Sequence, residues 1–452
     1  MAVKQKTILR VLLVVLTMVF FLSAGILGWL YYDSHVDRSG WVTQEGQYYY
    51  RDFHNRNVTG WQEIQGSRYF FDNTGILKTG WLTQGDSEYY LQSDGKMAVD
   101  WLTLDGNRYY MGKDGARKTS WQEIDGKTCY LGEDGILKTG LQTIEGKLYL
   151  FAPEGQMETG FQQVDGKTYY FTQEGPAATG KLTLEEKEYL FGEDGVMQTG
   201  WISSENGWQY YGEDGSMAHG LQEIDGKLYS LDPETGIMAT GWFTRDEYHY
   251  YFGEDGAALT GPQEIDGRKF YFTPRGIYVM LVNASNPIPD YYDPQLVTLT
   301  GWHRISSICL EPMKQMLADC AAAGNQPEIN SIYRSGENQT KIMEERIEYF
   351  MESGMSYEDA SAKAHVIVAA AGTSEHETGL SADLVGADAK KWLGEHCWEY
   401  GFILRYPPEK GDITGITFEP WHFRYVGKEV SMDMKDSGLC LEEYLGAGPA
   451  KP

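Results

Sequence analysis

WQEIDGKTCYLGEDGILKTG, residues 121–140, decides how most of this chain folds. Residues 61–80, WQEIQGSRYFFDNTGILKTG, and 101–120, WLTLDGNRYYMGKDGARKTS, align with it at a period of 20, and about twelve such units run from Trp41 to near Met280, one of them (221–241) a residue longer. A fixed period this short marks a solenoid, whose units bury their apolar faces only against their neighbours. Within the unit, Ile124-Asp125-Gly126-Lys127 sets Asp-Gly between alternating residues, the strongest short hairpin signal, and Glu133-Asp134-Gly135 hands the chain to the next unit. Each repeat is expected to be a β-hairpin plus a linker.

At 452 residues and a formal charge of −27 the chain has room for two or more domains and for a full enzyme. Long-range repulsion argues against nucleic acid or anionic lipid as partners, and a neutral or zwitterionic partner fits better. Upstream of the repeats, 11–32 is an uncharged run of 22 residues, enough to cross roughly 30 Å of hydrocarbon as a helix. Lys4, Lys6 and Arg10 precede it and Asp33 and Asp37 follow, so the basic flank is expected in the cytoplasm and everything after the run outside. The rival reading is a cleaved signal peptide, with Leu22-Ser23-Ala24-Gly25 as a weak cleavage site. The five cysteines (Cys129, Cys309, Cys320, Cys397, Cys440) include no CxxC pair and imply neither a zinc ribbon nor a disulfide framework; one disulfide in the last third is left open.

After the repeats, 282–290 reads as a linker or extended lead-in, because two prolines in three residues favour extended backbone. The composition then becomes mixed. Helical spacing covers 310–323 with Gly324 as its stop, a strand is expected at 328–333, and helices at 338–351 and, behind a Ser356 cap with Asp359 three residues on, at 357–370. A further helix is expected near 388–400 and a strand at 416–426. The fold class is multidomain: a cytoplasmic stub and transmembrane helix (1–40), a β-hairpin repeat solenoid (41–281) and an α+β domain (282–452).

Two short segments of that last domain concentrate the chemistry: SEHETGLSAD, 374–383, and EPWH, 419–422. A catalytic zinc site needs about three protein ligands and an open position for water. His376, Asp383 and His422 supply ligands, and Glu419 remains to take the proton from the water. Gly379 permits the reversal that brings Asp383 back beside His376. Pro420 cannot donate to a ladder, so the strand here is expected to be bulged or at a sheet edge, and a bulge would turn Glu419 and His422 to one site.

SxHxxGxxxD followed by ExWH, with SIYRS at 331–335 and GFILRYP at 401–407, resembles the zinc D-Ala-D-Ala carboxypeptidase (VanY-like) family, whose fold is shared by hedgehog signalling domains; Ser381 stands where that family often has Ala. The resemblance implies that His376, Asp383 and His422 hold Zn2+, that Glu419 is general base and then acid, and that Arg334 stabilises the developing oxyanion. It also implies that Gln339 and Ser374 contact the terminal D-residue and its carboxylate. The repeats resemble the choline-binding and glucan-binding type of cell-wall-binding repeat found in Gram-positive surface proteins and clostridial toxins. In the choline-binding branch a Trp usually precedes the paired Tyr; here that position holds Arg68, Arg108, Thr128, Leu148, Thr168 and Leu228, with Trp only at Trp208. The leading Trp is also lost at Leu141, Phe161, Lys181, Leu221 and Pro262, so binding of cell-wall carbohydrate or teichoic polymer is expected rather than choline.

Together these readings imply an extracellular, membrane-anchored zinc carboxypeptidase acting on peptidoglycan stem peptides and held at the wall by its repeats. Removal of the last D-Ala from a pentapeptide is the leading expectation. The alternatives are an L,D-carboxypeptidase acting on tetrapeptide stems and a non-catalytic wall-binding protein.

Overall fold

The computed structural model describes residues 2–35, 38–386 and 388–451; Asp37 of the expected acidic flank lies outside them. The apolar run extends into one continuous helix, Ala2–His35, of 34 residues. At 1.5 Å per residue that is about 51 Å, longer than a bilayer's hydrocarbon core.

The repeats form consecutive two-stranded antiparallel hairpins, from Gly40–Gln44 with Gln47–Arg51 to Gly261–Ile265 with Arg268–Phe272. In the unit 121–140, Ile124 pairs with Lys127, and Asp125 (φ 53°) and Gly126 (φ 73°) both sit in the left-handed region. This is the geometry of a type I′ turn, whose twist matches that of the strands it joins. The chain divides into two compact units, one running to Leu184 with Tyr189–Gln198, the other formed by Glu185–Glu188 and the chain from Thr199 onward.

In the first unit the closing residue of each hairpin from the second to the seventh is apolar and buried: Phe71, Leu91, Met111, Leu131, Phe151 and Phe171 are all 0–1% exposed. Stacking joins one hairpin to the next. Trp41 packs edge-on against Tyr50 of its own repeat (5.4 Å between centroids) and Tyr69 of the following one (5.0 Å). Leu77 N donates to the Tyr48 carbonyl and Met97 N to the Arg68 carbonyl, both at 2.8 Å. A single hairpin is marginal in water, so each depends on these neighbours.

In the second unit the last repeats and the C-terminal domain share one core. Tyr250, Phe252, Tyr271, Ile277, Val279 and Leu281 pack with Ile403, Val426, Val430, Met434, Leu441 and Leu445. The stretch 282–290 is therefore no free linker: Val282 is fully buried and the buried Asn283 donates through Nδ2 to Glu442 Oε1 at 2.9 Å.

The C-terminal domain is built on a four-stranded antiparallel sheet, in the order Glu328–Ser331, Ser381–Val385, His422–Tyr425, Phe402–Leu404. Helices Leu310–Ala322 and Ala389–His396 cover its apolar face through Met313, Met316, Cys320 and Leu393, packed with Leu384, Phe402 and Phe423. Helices Gly336–Glu352 and Tyr357–His365 pack on each other through Met343, Ile347, Phe350, Ala360 and Ala364. Ser335 and Ser356 cap them, accepting from the backbone nitrogens of Asn338 and Asp359. All five cysteines are free and buried.

Three expected elements are shorter in the structure. The helix from Tyr357 ends at His365 rather than continuing to residue 370, where the Val366-Ile367-Val368 run of β-branched residues disfavours helix and Val366 O instead accepts from Thr417 N at 3.0 Å. The strand expected at 328–333 stops at Ser331. The strand expected at 416–426 is confined to His422–Tyr425. That strand lies between two others, so the expected bulge or edge at Pro420 is replaced by a loop that ends where the strand begins.

Candidate metal centre

Strand register assembles the site. On the two central strands Asp383 stands opposite His422, and Ser331 of the neighbouring strand stands opposite Asp383. His376 arrives from the short 3-10 helix Glu375–Thr378, which Gly379 ends at φ 71°. A Cβ on Gly379 would also lie 2.8 Å from Leu296 Cδ2 and 3.0 Å from the Ser306 backbone nitrogen, so glycine is required for conformation and for space.

His376 Nδ1 lies 2.6 Å from the Ile332 carbonyl, which keeps the proton on Nδ1 and turns the Nε2 lone pair into the site. His376 Nε2 and His422 Nδ1 each stand 3.3 Å from Asp383 Oδ1. The three ligand atoms lie within 4.8 Å of one another, and all three residues are buried. Donor atoms 2.0–2.1 Å from a tetrahedral zinc are about 3.3–3.4 Å apart, so two of the edges already have the spacing a zinc would impose. Asp383 Oδ1 is buried without a hydrogen-bond donor, which a cation would satisfy. The residues present fit the metal.

Electrostatics agree with that donor set. Burial opposes charge on Asp383, but the flanking His376 and His422 hold its carboxyl far below the usual carboxylate range. Burial lowers the pKa of His376 against the pull of Asp383 and favours the neutral imidazole. His422, with Asp383, Glu375 and Glu419 around it, is raised well above an ordinary histidine in spite of its burial, so a proton must leave it before a metal enters.

Glu419 reaches the same point, its Oε2 3.4 Å from His422 Nδ1, with its side chain 13% exposed. A turn places it there: Glu419 N donates to the Tyr406 carbonyl at 3.1 Å and His422 N lies 3.4 Å from the Glu419 carbonyl. Arg334 binds Asp383 Oδ2 through Nη2 (2.6 Å), Ser331 Oγ through Nε (2.8 Å) and Gln339 Oε1 through Nη1 (3.3 Å). Of its five N–H groups two remain uncommitted by these bonds. Gln339 is buried and also donates to the Ala369 carbonyl at 2.7 Å, so its amide braces Arg334. Ser374 is buried immediately before the 3-10 helix.

The sequence reading missed a set of buried charges beneath the ligands. Glu375 is fully enclosed; its Oε1 accepts from Arg405 Nε and forms an ion pair with Arg424 Nη1, both at 2.8 Å, and Ser381 Oγ donates to Oε2 at 3.1 Å. Arg405 in turn grips Glu442 with Nη1 at 2.9 Å and Nη2 at 2.6 Å. Strand alternation gave one available signal, since Arg424 lies two residues after His422 and so on the same face. Glu375 was in plain view between Ser374 and His376, but nothing local shows that it turns inward.

In the repeats, Arg68 lies over the Trp61 ring (4.8 Å) and Arg108 over Trp101 (4.4 Å). These faces already hold a cation of the chain's own. Trp41, Trp208 and Trp242 are 42–49% exposed.

Comparison with known proteins agrees with both halves. Residues 302–428 match the family described as VanY, D-alanyl-D-alanine carboxypeptidase. Residues 76–116, 178–219 and 199–243 match choline-binding repeats, and 59–77 and 159–177 match a cell wall binding repeat. A bifunctional D-Ala-D-Ala dipeptidase and D-Ala-D-Ala carboxypeptidase VanXYC of Enterococcus gallinarum is 31% identical over 186 residues, 37% of this chain and 92% of that protein. The chain belongs to the VanY family. Within it, a D-alanyl-D-alanine carboxypeptidase of Enterococcus faecalis is 43% identical over 175 residues, 37% of this chain, and this chain spans 65% of that relative's length. Among solved structures, the vancomycin resistance D,D-pentapeptidase VanY from a VanB-type cassette in complex with Zn(II) is 41% identical, covering 36% of this chain and 97% of that one, with a TM-score of 0.36.

Proposed function

We propose that this chain is a zinc carboxypeptidase that removes the terminal D-alanine from peptidoglycan stem peptides, with 282–452 carrying the chemistry and 41–281 holding it at the wall. The observation that carries the reading is the convergence of His376 Nε2, Asp383 Oδ1 and His422 Nδ1, with the Glu419 carboxylate 3.4 Å from His422 Nδ1. Membership of the VanY family supports the choice of a D-Ala-D-Ala bond.

His376, Asp383 and His422 would hold the zinc. The metal, when bound, acidifies a water and polarises the scissile carbonyl. Glu419 would act as general base, taking the proton of an attacking water as its oxygen adds to the carbonyl carbon, and then as general acid, giving the proton to the leaving amine as the C–N bond breaks. Arg334 keeps Asp383 oriented and offers its two remaining N–H groups to the oxyanion or to the substrate's C-terminal carboxylate. Ser374 and Gln339 shape the pocket for the terminal D-residue, Gln339 by fixing Arg334.

For the repeats we take cell-wall carbohydrate or teichoic polymer as the ligand. Exposed indole faces suit the apolar faces of sugars, whereas the faces of Trp61 and Trp101 carry guanidinium groups in the place a quaternary ammonium would occupy. The apolar helix Ala2–His35 serves as membrane anchor, leaving the repeats and peptidase on the extracellular side.

The test is zinc content and hydrolysis of the full chain in detergent, alongside Glu419→Ala. The variant is expected to keep about one zinc and to sediment with cell walls, while hydrolysis falls by about 10²–10⁴-fold. A variant that hydrolyses as fast as its parent would contradict the assignment of Glu419.

A further inference from the structure

His422 faces the metal position with Nδ1, so in the loaded site its proton sits on Nε2. That nitrogen is buried without a hydrogen-bond partner, and the nearest carboxylate oxygen is Glu375 Oε2 at 3.8 Å. A buried N–H is costly to leave unpaired, and a shift of under about 1 Å closes this gap to a hydrogen bond. Glu375 itself is held from behind. Arg405 Nε donates to Oε1 and Arg424 Nη1 forms an ion pair with the same oxygen, which leaves Oε2 for the Ser381 hydroxyl and for His422. Arg405 cannot swing away because its other two nitrogens are bound to Glu442.

We infer that Glu375 is a positioning residue: its Oε2 accepts the Nε2 proton of His422, fixing the tautomer and ring orientation that present Nδ1 to zinc. Metal-binding histidines ordinarily give their second N–H to such an acceptor, and its loss typically costs 10–100-fold in metal affinity. The inference rests on the zinc reading above, and the residues around Glu375 make one substitution unusually informative. In Glu375→Gln the carbonyl oxygen must stay toward Arg405 and Arg424, since only an acceptor satisfies them. The amide NH2 then takes the place of Oε2 and points a donor at His422 Nε2. That arrangement favours a lone pair on Nε2 and a proton on Nδ1, the wrong tautomer for coordination.

The experiment measures zinc affinity by chelator competition on the full chain in detergent, with the thermal unfolding of the metal-free forms recorded beside it. Glu442→Gln is the comparison, because it disturbs the same buried network one step further from the metal. Both variants are expected to melt lower than the parent. Only Glu375→Gln is expected to lose zinc affinity, by 10–100-fold, with a changed visible spectrum when cobalt(II) replaces zinc; Glu442→Gln should stay within about twofold of the parent. Equal affinity for Glu375→Gln and parent, or equal losses in both variants, would overturn the inference. A parent that takes up no zinc would instead overturn the zinc reading itself. Should Glu375→Gln not fold, 15N-histidine spectra of the zinc-loaded parent decide: one zinc-perturbed histidine is expected to coordinate through Nδ1 and one through Nε2, and coordination of both through Nε2 would leave Glu375 no proton to accept.

Discussion

Cutting the chain before Val282, where the repeats end in the sequence, is expected to unfold the peptidase half. Ile277, Val279 and Leu281 are 3–5% exposed, and they pack in one core with Ile403, Val426, Val430, Leu441 and Leu445. Full burial of an aliphatic side chain is worth about 1.5–3 kcal/mol, so these three alone represent about 4.5–9 kcal/mol. Whole domains are stable by only about 5–15 kcal/mol. The cut also removes the Met280 carbonyl that Arg424 Nη2 donates to at 2.9 Å and the Glu247 carboxylate that receives the Tyr425 hydroxyl at 2.8 Å. The assay compares thermal unfolding of 282–452 with that of 199–452, which keeps the shared core. At about 2–4 °C per kcal/mol for a domain of this size, the shorter fragment should melt at least about 10 °C lower or be unfolded at room temperature. Melting temperatures within 2–3 °C of each other, an interval of about 1 kcal/mol, would refute the shared core as a source of stability.

Gly379→Ala should lower stability by about 1–3 kcal/mol, from the left-handed backbone and the contact with the Ser306 nitrogen, and should weaken zinc binding because His376 is displaced; chemical denaturation and chelator competition read the two effects. Arg334→Ala leaves Asp383 Oδ2 buried without its cation and is expected to cost more in kcat/KM than in zinc affinity, since Oδ1 faces the metal; an unchanged kcat/KM would remove Arg334 from the mechanism. Acid should loosen the repeats. The Thr74 hydroxyl on Asp72, the Ile136 N–H on Asp134 and the Thr235 N–H on Asp232 hold these turn carboxylates below the ordinary aspartate value of 3.8. The unfolded chain therefore takes up protons first, so the stability they contribute is present above pH 3.8 and is lost as pH falls below it. Circular dichroism from pH 6 to 2 should show the thermal midpoint of the repeats falling, and a midpoint that does not move would contradict the turn assignment.

Much of this was legible because the signals are local. Asp125-Gly126 specifies its own turn, and the buried position recurring from Phe71 to Phe171 is carried by the same period of 20 that aligns the repeats. His376 and Asp383 lie on either side of one glycine reversal, and Glu419 and His422 on one turn, so each pair was visible within ten residues. What escaped depends on distance in the fold. Glu375 is a polar letter inside a short motif, and only the arrival of Arg405, just after the strand Phe402–Leu404, and of Arg424, from the strand His422–Tyr425, makes its burial tolerable. Asn283 looked like part of a linker until Glu442, 159 residues away, supplied its partner. The helix at Tyr357 was overextended because its apolar spacing continues past His365 while the β-branched run ends it.

The most direct test of the central claim incubates the full chain in detergent, loaded with zinc, with stem pentapeptide and stem tetrapeptide and reads the products by mass. The account predicts loss of one alanine from the pentapeptide and none from the tetrapeptide. Loss from the tetrapeptide would move the bond to the L,D class, and loss from neither with zinc bound would contradict the assignment of this site as a carboxypeptidase.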